Sequence, residues 1–243
     1  MPARALARRV VRRGRWVLGT RRRSTYLALW LVPSGRRMRV TPDTELVIEG
    51  FPRSSNSFAH AAFRYAQRRP VGTSHHTHLP GQVLRAVRLG VPTLLVVRRP
   101  EAAVSSLLVA GPHLRARGLL REYIGFHRVV LPVLDGVVVA SFEAVTSDFG
   151  RVVDELNRRF GTSFERFEHT EDNVRVIFES MDEWVERVGL DAGTREQRVA
   201  HPVETRRVLQ ERAAAEIARQ PELLAEADDV YDRVVGAVRS LSR

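Results

Sequence analysis

ELVIEGFPRSSNSFAHAAFRYAQRR, residues 45–69, changes from a strand to a helix within a few positions. Glu45 to Phe51 form an apolar run too short for a buried helix and bounded by turn formers, which reads as a strand. Pro52 removes a donor and fixes φ, so the ladder stops there. Arg53-Ser54-Ser55-Asn56-Ser57 is a small polar turn, with Asn56 or Ser57 placed to cap a helix. Phe58 to Arg68 suit that helix, with Phe58, Ala62, Tyr65 and Ala66 on one face. A strand, a tight polar turn and a helix N-terminus together make an anion site, because orphan N–H groups and the positive end of the macrodipole face the turn. Arg53 adds a charged fork. An ordinary βα connection has the same outline, so the anion reading depends on partners elsewhere in the chain.

Those partners come in order. Pro70 to Gly81 is a turn-rich, histidine-rich loop, and a short helix covers Gln82 to Leu89. Val91 to Val97 (VPTLLVV) is the most apolar strand, with the pattern of a central parallel one. Pro100 opens a helix that runs through Leu108. Leu119 to Val130 is an amphipathic helix, and Gly136 to Ser141 is a third strand. Thr146-Ser147-Asp148 cap a helix over Phe149 to Phe160 that Gly161 ends. Further helices follow over Val174–Val188, Glu204–Arg219 and Pro221–Leu241. Strands alternating with helices indicate βαβ units and a parallel sheet flanked by helices, an α/β fold with a helical C-terminus.

The chain has 243 residues, is 44% apolar and contains no cysteine, so it folds around a sizeable core without disulfides or thiol chemistry. Its formal charge of +11 is unevenly spread. Residues 1–40 hold 12 of the 39 basic residues and no acidic one, which leaves 27 basic against 28 acidic in the remainder. Residues 1–40 therefore read as a basic arm and 41–243 as a near-neutral α/β domain. Every basic residue is arginine; there is no lysine. The arm's arginine clusters, with Trp16, Tyr26 and Trp30 between them, suit an anionic membrane surface. A solvated extension fits the same composition, and no recognised nucleic-acid module follows it. Tyr26 to Val32 is far below the roughly 20 residues that span a bilayer. No secretory signal pattern is seen, so a cytoplasmic location is expected, with the arm peripheral at the inner membrane face.

Three segments, in this order, resemble the sulfotransferases that use 3′-phosphoadenosine 5′-phosphosulfate (PAPS). FPRSSNSF at 51–58 is similar to that family's phosphosulfate loop, PKSGTTW. His76-Thr77-His78-Leu79-Pro80 resembles the KTHLP segment that carries the catalytic histidine. Arg98-Arg99-Pro100 through Ser106 matches an Arg-x-Pro followed by serine eight residues after the arginine, which holds the 3′-phosphate. Phe142-Glu143 sits where members often read Tyr-Glu-Asp. The resemblance spans roughly residues 44–161 and implies a P-loop-like α/β fold that transfers a sulfuryl group from PAPS to a hydroxyl of a carbohydrate, glycolipid or small molecule, with no metal. It implies a phosphosulfate site made by Arg53, Ser54, Ser55, Asn56 and Ser57. Phe58 would stack on adenine, and Arg98 and Ser106 would hold the 3′-phosphate. Arg53 would neutralise charge on the leaving nucleotide, and His78 would take the acceptor's proton, with Glu101 or Glu143 as substitutes.

The chain also departs from that pattern. Arg53 replaces the family lysine, Ser55 the glycine, Phe58 the tryptophan and His76 the lysine before the catalytic histidine. The C-terminal Arg-Lys-Gly segment is absent, and His201-Pro202 to Arg206 is its only candidate substitute. Three alternatives stand beside this reading. A P-loop kinase-like enzyme is disfavoured because the Walker lysine is missing and VPTLLVV ends in Arg98 rather than a magnesium-binding aspartate. A metal site at His75, His76 and His78 lacks a nearby acid or thiol to complete it. A catalytically degenerate, membrane-associated binding protein is compatible with the changes at Arg53 and Ser55.

Overall fold

The computed structural model describes residues 38–111, 114–187 and 204–241, together with Gly14. Four strands form one parallel sheet: β1 (Leu46–Gly50), β2 (Thr73–His75), β3 (Thr93–Val97) and β4 (Val138–Ser141), in the order β2-β1-β3-β4. Nine α-helices lie among the described residues. They are α1 (Asn56–Ala66), α2 (Pro80–Leu89), α3 (Pro100–Ala110), α4 (Ala116–Val130), α5 (Phe142–Ser147), α6 (Phe149–Phe160), α7 (Glu171–Arg187), α8 (Glu204–Ala218) and α9 (Pro221–Leu241).

Side-chain alternation divides the core into two layers. Leu46 and Ile48 of β1, with Leu94 and Val96 of β3, pack against Phe58 and Phe63 of α1, Val153 and Leu156 of α6 and Ile177 of α7. Leu95 and Val97 face the other way, toward Val83 of α2, Leu107 of α3, Leu120 of α4, Ile217 of α8 and Val230 of α9. The product is an α/β/α sandwich, the arrangement that a parallel sheet needs to cover both faces. No helix among the described residues is long and apolar enough to cross a membrane.

Most elements fall within a few residues of the sequence reading, and α6 spans the predicted interval. Asp148 caps it by accepting from the Arg151 N–H, and Gly161 ends it in the left-handed region at φ 65°. Four points differ. The loop Pro70–Gly81 contains β2, a three-residue edge strand whose place comes only from pairing with β1. α5 occupies the segment directly after β4, where no helix was expected. α1 begins at Asn56 rather than Phe58, and its cap is Ser55, which makes no side-chain capping bond, rather than Asn56 or Ser57. The buried face of α1 is Phe58, Ala59, Ala62 and Phe63, while Tyr65 is 51% exposed and donates its hydroxyl to Asn173. Ala66 is partly buried against the same layer, so the expected face holds at Phe58, Ala62 and Ala66 and fails at Tyr65. The arm before residue 38, apart from Gly14, and His201 to Val203 of the C-terminal candidate segment lie outside the described residues, while Glu204 to Arg206 fall in the first turn of α8.

The connection from β1 leads to β2 on one side, and the connection from the adjacent β3 leads to β4 on the other. That is a topological switch point, the crevice at which open α/β sheets bind ligands. Gly50 ends β1 there. A Cβ on Gly50 would lie 2.1 Å from the Val96 carbonyl oxygen of β3, a backbone atom that cannot step aside. Gly50→Ala should therefore cost roughly 1–3 kcal/mol through overpacking, about 2–12 °C in Tm for a chain of this size. Gly118→Ala, at an exposed α4 position with open space around it, should be neutral or stabilising in the same thermal melt.

Candidate functional site

The loops after β1, β2 and β3 meet at this switch point, and each carries expected site residues. Arg53 follows β1, His78 follows β2 and Arg98 follows β3. Arg53 donates from Nε to Ser106 Oγ of α3 at 2.9 Å, across 53 residues of sequence. Arg98 donates from Nη1 to the Arg53 carbonyl at 2.9 Å, and its guanidinium carbon lies 4.0 Å from the centre of the Phe142 ring. The Tyr123 hydroxyl of α4 donates to the Arg98 carbonyl at 2.7 Å and fixes the end of β3 from below. Three residues chosen from two separate motifs are thus joined directly. Glu143 directly follows Phe142 in the first turn of α5.

The β1–α1 turn is built without glycine. Arg53 and Ser55 have φ of 70° and 76°, and Ser54 between them does not share that sign. Alternation of left- and right-handed residues turns successive N–H groups inward and forms an anion-binding concavity. Asn56 lies beneath it, with its amide donating to the carbonyls of Phe51 at 3.1 Å and Gly50 at 3.4 Å. Ser54 is fully buried, and neither its Oγ nor Asn56 Oδ1 has a hydrogen-bond partner. Buried polar atoms seldom stay unpaired in a finished structure; of these two, the Ser54 hydroxyl can donate to an anion in the turn, whereas Asn56 Oδ1 only accepts. Ser57 is exposed and hydrogen-bonds His76 Nε2 at 2.8 Å. Phe58 is 4% exposed, its ring set among Phe167, His169 and Phe178.

His78 is held from two sides. Its Nδ1 lies 2.9 Å from the Gly50 carbonyl, which can only accept. The proton therefore sits on Nδ1 and the lone pair on Nε2. Its backbone N–H donates to Glu49 Oε2 at 3.1 Å, and the Thr77 N–H donates to Glu49 Oε1 at 2.6 Å. Glu49 was missed by the sequence reading. Its only signal was an acid inside an otherwise apolar strand, since a buried carboxylate demands partners. Burial pushes its pKa up to about 7, against the opposing pull of hydrogen bonds from Thr77, His78 and Gly50.

His60 stacks on His75 with ring centres 3.5 Å apart, and His76 meets His75 edge-on at 4.7 Å. Burial, then the charge of neighbouring groups, lowers His60 to about 3 and His75 to about 4. Burial also lowers His76. These rings pack as neutral imidazoles. Among the described residues, no group of three or more His, Cys, Asp or Glu side chains is arranged to hold a metal ion.

No protein-family model matches the chain, and no curated protein matches it. Among solved structures it is similar to mouse sulfotransferase SULT7A1 complexed with PAP, at 11% identity, covering 76% of this chain and 93% of that one with a TM-score of 0.39. Similarity at that level leaves the functional reading to the chain's own residues.

Two outcomes test this geometry. Ser55→Gly relieves a left-handed strain of about 1–2 kcal/mol but adds unfolded-chain freedom worth roughly 0.5–1 kcal/mol. The net gain of up to about 1.5 kcal/mol should raise Tm by up to about 6 °C in a thermal melt, whereas Ser55→Ala should give no rise. The second outcome concerns pH. His60, His75, His76 and the buried His127 bind protons less readily folded than unfolded, so they stabilise above the ordinary histidine value of 6.5 and lose that contribution as pH falls toward 4. Glu49 works oppositely between about 4.5 and 7, because the folded chain keeps its proton longer. Four groups outweigh one. Tm should fall steadily from pH 6.5 to 4, and a flat profile would contradict a neutral histidine cluster.

Proposed function

We propose that the protein transfers a sulfuryl group from PAPS to a hydroxyl-bearing acceptor. The observation that carries this reading is the Arg53–Ser106 hydrogen bond, with Arg98 bound to the Arg53 backbone at the switch point. The residues expected to hold the two ends of one nucleotide thereby form one continuous basic and hydroxyl surface. A bare phosphate suits Arg98, whose position at the end of β3 leaves no carboxylate for a magnesium ion there.

PAPS supplies an activated sulfuryl group joined to phosphate through an anhydride oxygen. The N–H groups of the turn over Arg53 to Ser57 bind that anionic end, aided by the α1 N-terminus and the Ser55 and Ser57 hydroxyls. The Ser54 hydroxyl, which has no partner within the protein, donates to the same anion, and the Asn56 amide braces the turn from below through the Phe51 carbonyl. Arg98 and Ser106 hold the 3′-phosphate, the first as a planar fork and the second as a hydroxyl on α3. Phe58 was expected to stack on adenine, but its ring is buried among Phe167, His169 and Phe178, so it backs the turn from the core instead. Arg53 neutralises the charge that builds as the nucleotide departs. His78 Nε2 accepts the acceptor's hydroxyl proton, while the Gly50 carbonyl holds its Nδ1–H and so fixes the tautomer. Alignment and charge stabilisation supply most of the acceleration in such a transfer.

Calorimetric titration with 3′-phosphoadenosine 5′-phosphate beside ATP-Mg tests the reading. The 3′-phosphate nucleotide should bind more tightly, and Arg98→Ala should abolish that preference. His78→Ala should keep nucleotide binding and lose turnover by about 100-fold or more. Tighter binding of ATP-Mg, or equal binding of both nucleotides, overturns the assignment.

A further inference from the structure

We propose that Glu49 is a positioning residue for His78: its buried carboxylate clamps the His76–His78 turn and thereby fixes the orientation and tautomer of the imidazole. This rests on the reading of His78 as the base. Glu49 is fully buried on β1, on the face where Val47 packs against Ala86 of α2. Its two oxygens receive the N–H groups of Thr77 at 2.6 Å, His78 at 3.1 Å and Gly50 at 3.4 Å. The Thr77 hydroxyl also hydrogen-bonds the carboxylate. The next residue of the same strand, Gly50, receives the His78 ring through its carbonyl. Two consecutive residues of a central strand therefore grip His78 at both backbone and ring.

The turn needs such a grip. His76 and His78 stand at φ of 57° and 50°, left-handed conformations that cost non-glycine residues roughly 1–3 kcal/mol each. They persist only where the surroundings over-determine them. Burying a carboxylate is itself costly, and a space-filling role on a strand would be met by an apolar side chain. Glutamine has one acceptor oxygen and two donors, so it cannot receive N–H groups on both arms. Converging N–H donors explain why an acid occupies this place, and their charge-assisted bonds make the turn rigid.

The test uses the full chain labelled with 15N at histidine, with the His78 signals assigned by their loss in His78→Ala. In the wild type the Nδ1–H tautomer should dominate. Glu49→Gln sets a donor against a backbone N–H, so the Nε2–H tautomer should grow. Turnover should then drop by about 10- to 100-fold, as expected for a misplaced base, with the Kd for 3′-phosphoadenosine 5′-phosphate within about twofold of wild type. Glu45→Gln, at the other end of β1 and paired with Arg69 at the surface, should move neither signal nor turnover. A folded Glu49→Gln chain with the wild-type His78 tautomer overturns the proposal. If the sulfotransferase reading fails, no chain turns over, yet the tautomer shift still reports the clamp. If Glu49→Gln does not fold, amide exchange on the wild type decides. Slow exchange at Thr77 and His78 with an Nδ1–H His78 supports the clamp, and exchange at unprotected rates overturns it.

Discussion

The close approach of β1 to β3 at Gly50 is the constraint on which the site depends. With no Cβ, Gly50 lets the Val96 carbonyl come nearer than a side chain would permit. The two strands then end side by side, and the loops that leave them can touch. Arg53 reaches Ser106, and Arg98 reaches the Arg53 carbonyl, because their backbones start from adjacent strand ends. The same glycine offers its carbonyl to His78, so one residue sets both the spacing of the basic groups and the direction of the imidazole.

Strain collects at the same place. Among the described residues, the non-glycine positions with positive φ are Arg53, Ser55, His76 and His78. All four lie in the two turns above β1 and β2, and none lies in the helices or the rest of the sheet. Packing below the turns supplies the compensation: Asn56 tied to the end of β1, and Glu49 tied to the turn after β2. The arrangement concentrates conformational cost where N–H groups and an imidazole must be aimed, and leaves the sandwich around it regular.

Charge follows a similar division. Among the described residues, ion pairs such as Arg158 with Glu155 and Arg175 with Asp172 are exposed on helix surfaces and contribute little. The consequential groups are few and at least half-buried. Glu49 lives on N–H donors, and the stacked His60 and His75 are held neutral by burial. Glu49 is expensive to bury and lies one residue from the end of β1, where the crevice opens.

Much of this was legible in the chain itself. The apolar run of β3, the Asp148 and Gly161 signals around α6 and the Pro100 start of α3 are local chemistry, so period and capping residues report them directly. The polar turn at 53–57, His78, Arg98 and Ser106 stand out in the chain as candidates through their resemblance to short motifs, whose residues lie close together in sequence. The sequence by itself determined the α/β alternation and which residues could meet an anion. Only the tertiary structure decided that β2 exists, since three residues become a strand by pairing with β1. It also decided that Ser55 rather than Asn56 begins α1, that Tyr65 faces outward, and that Glu49 braces His78. Those outcomes arise from contacts between segments distant in sequence, where burial and backbone pairing outweigh local preference.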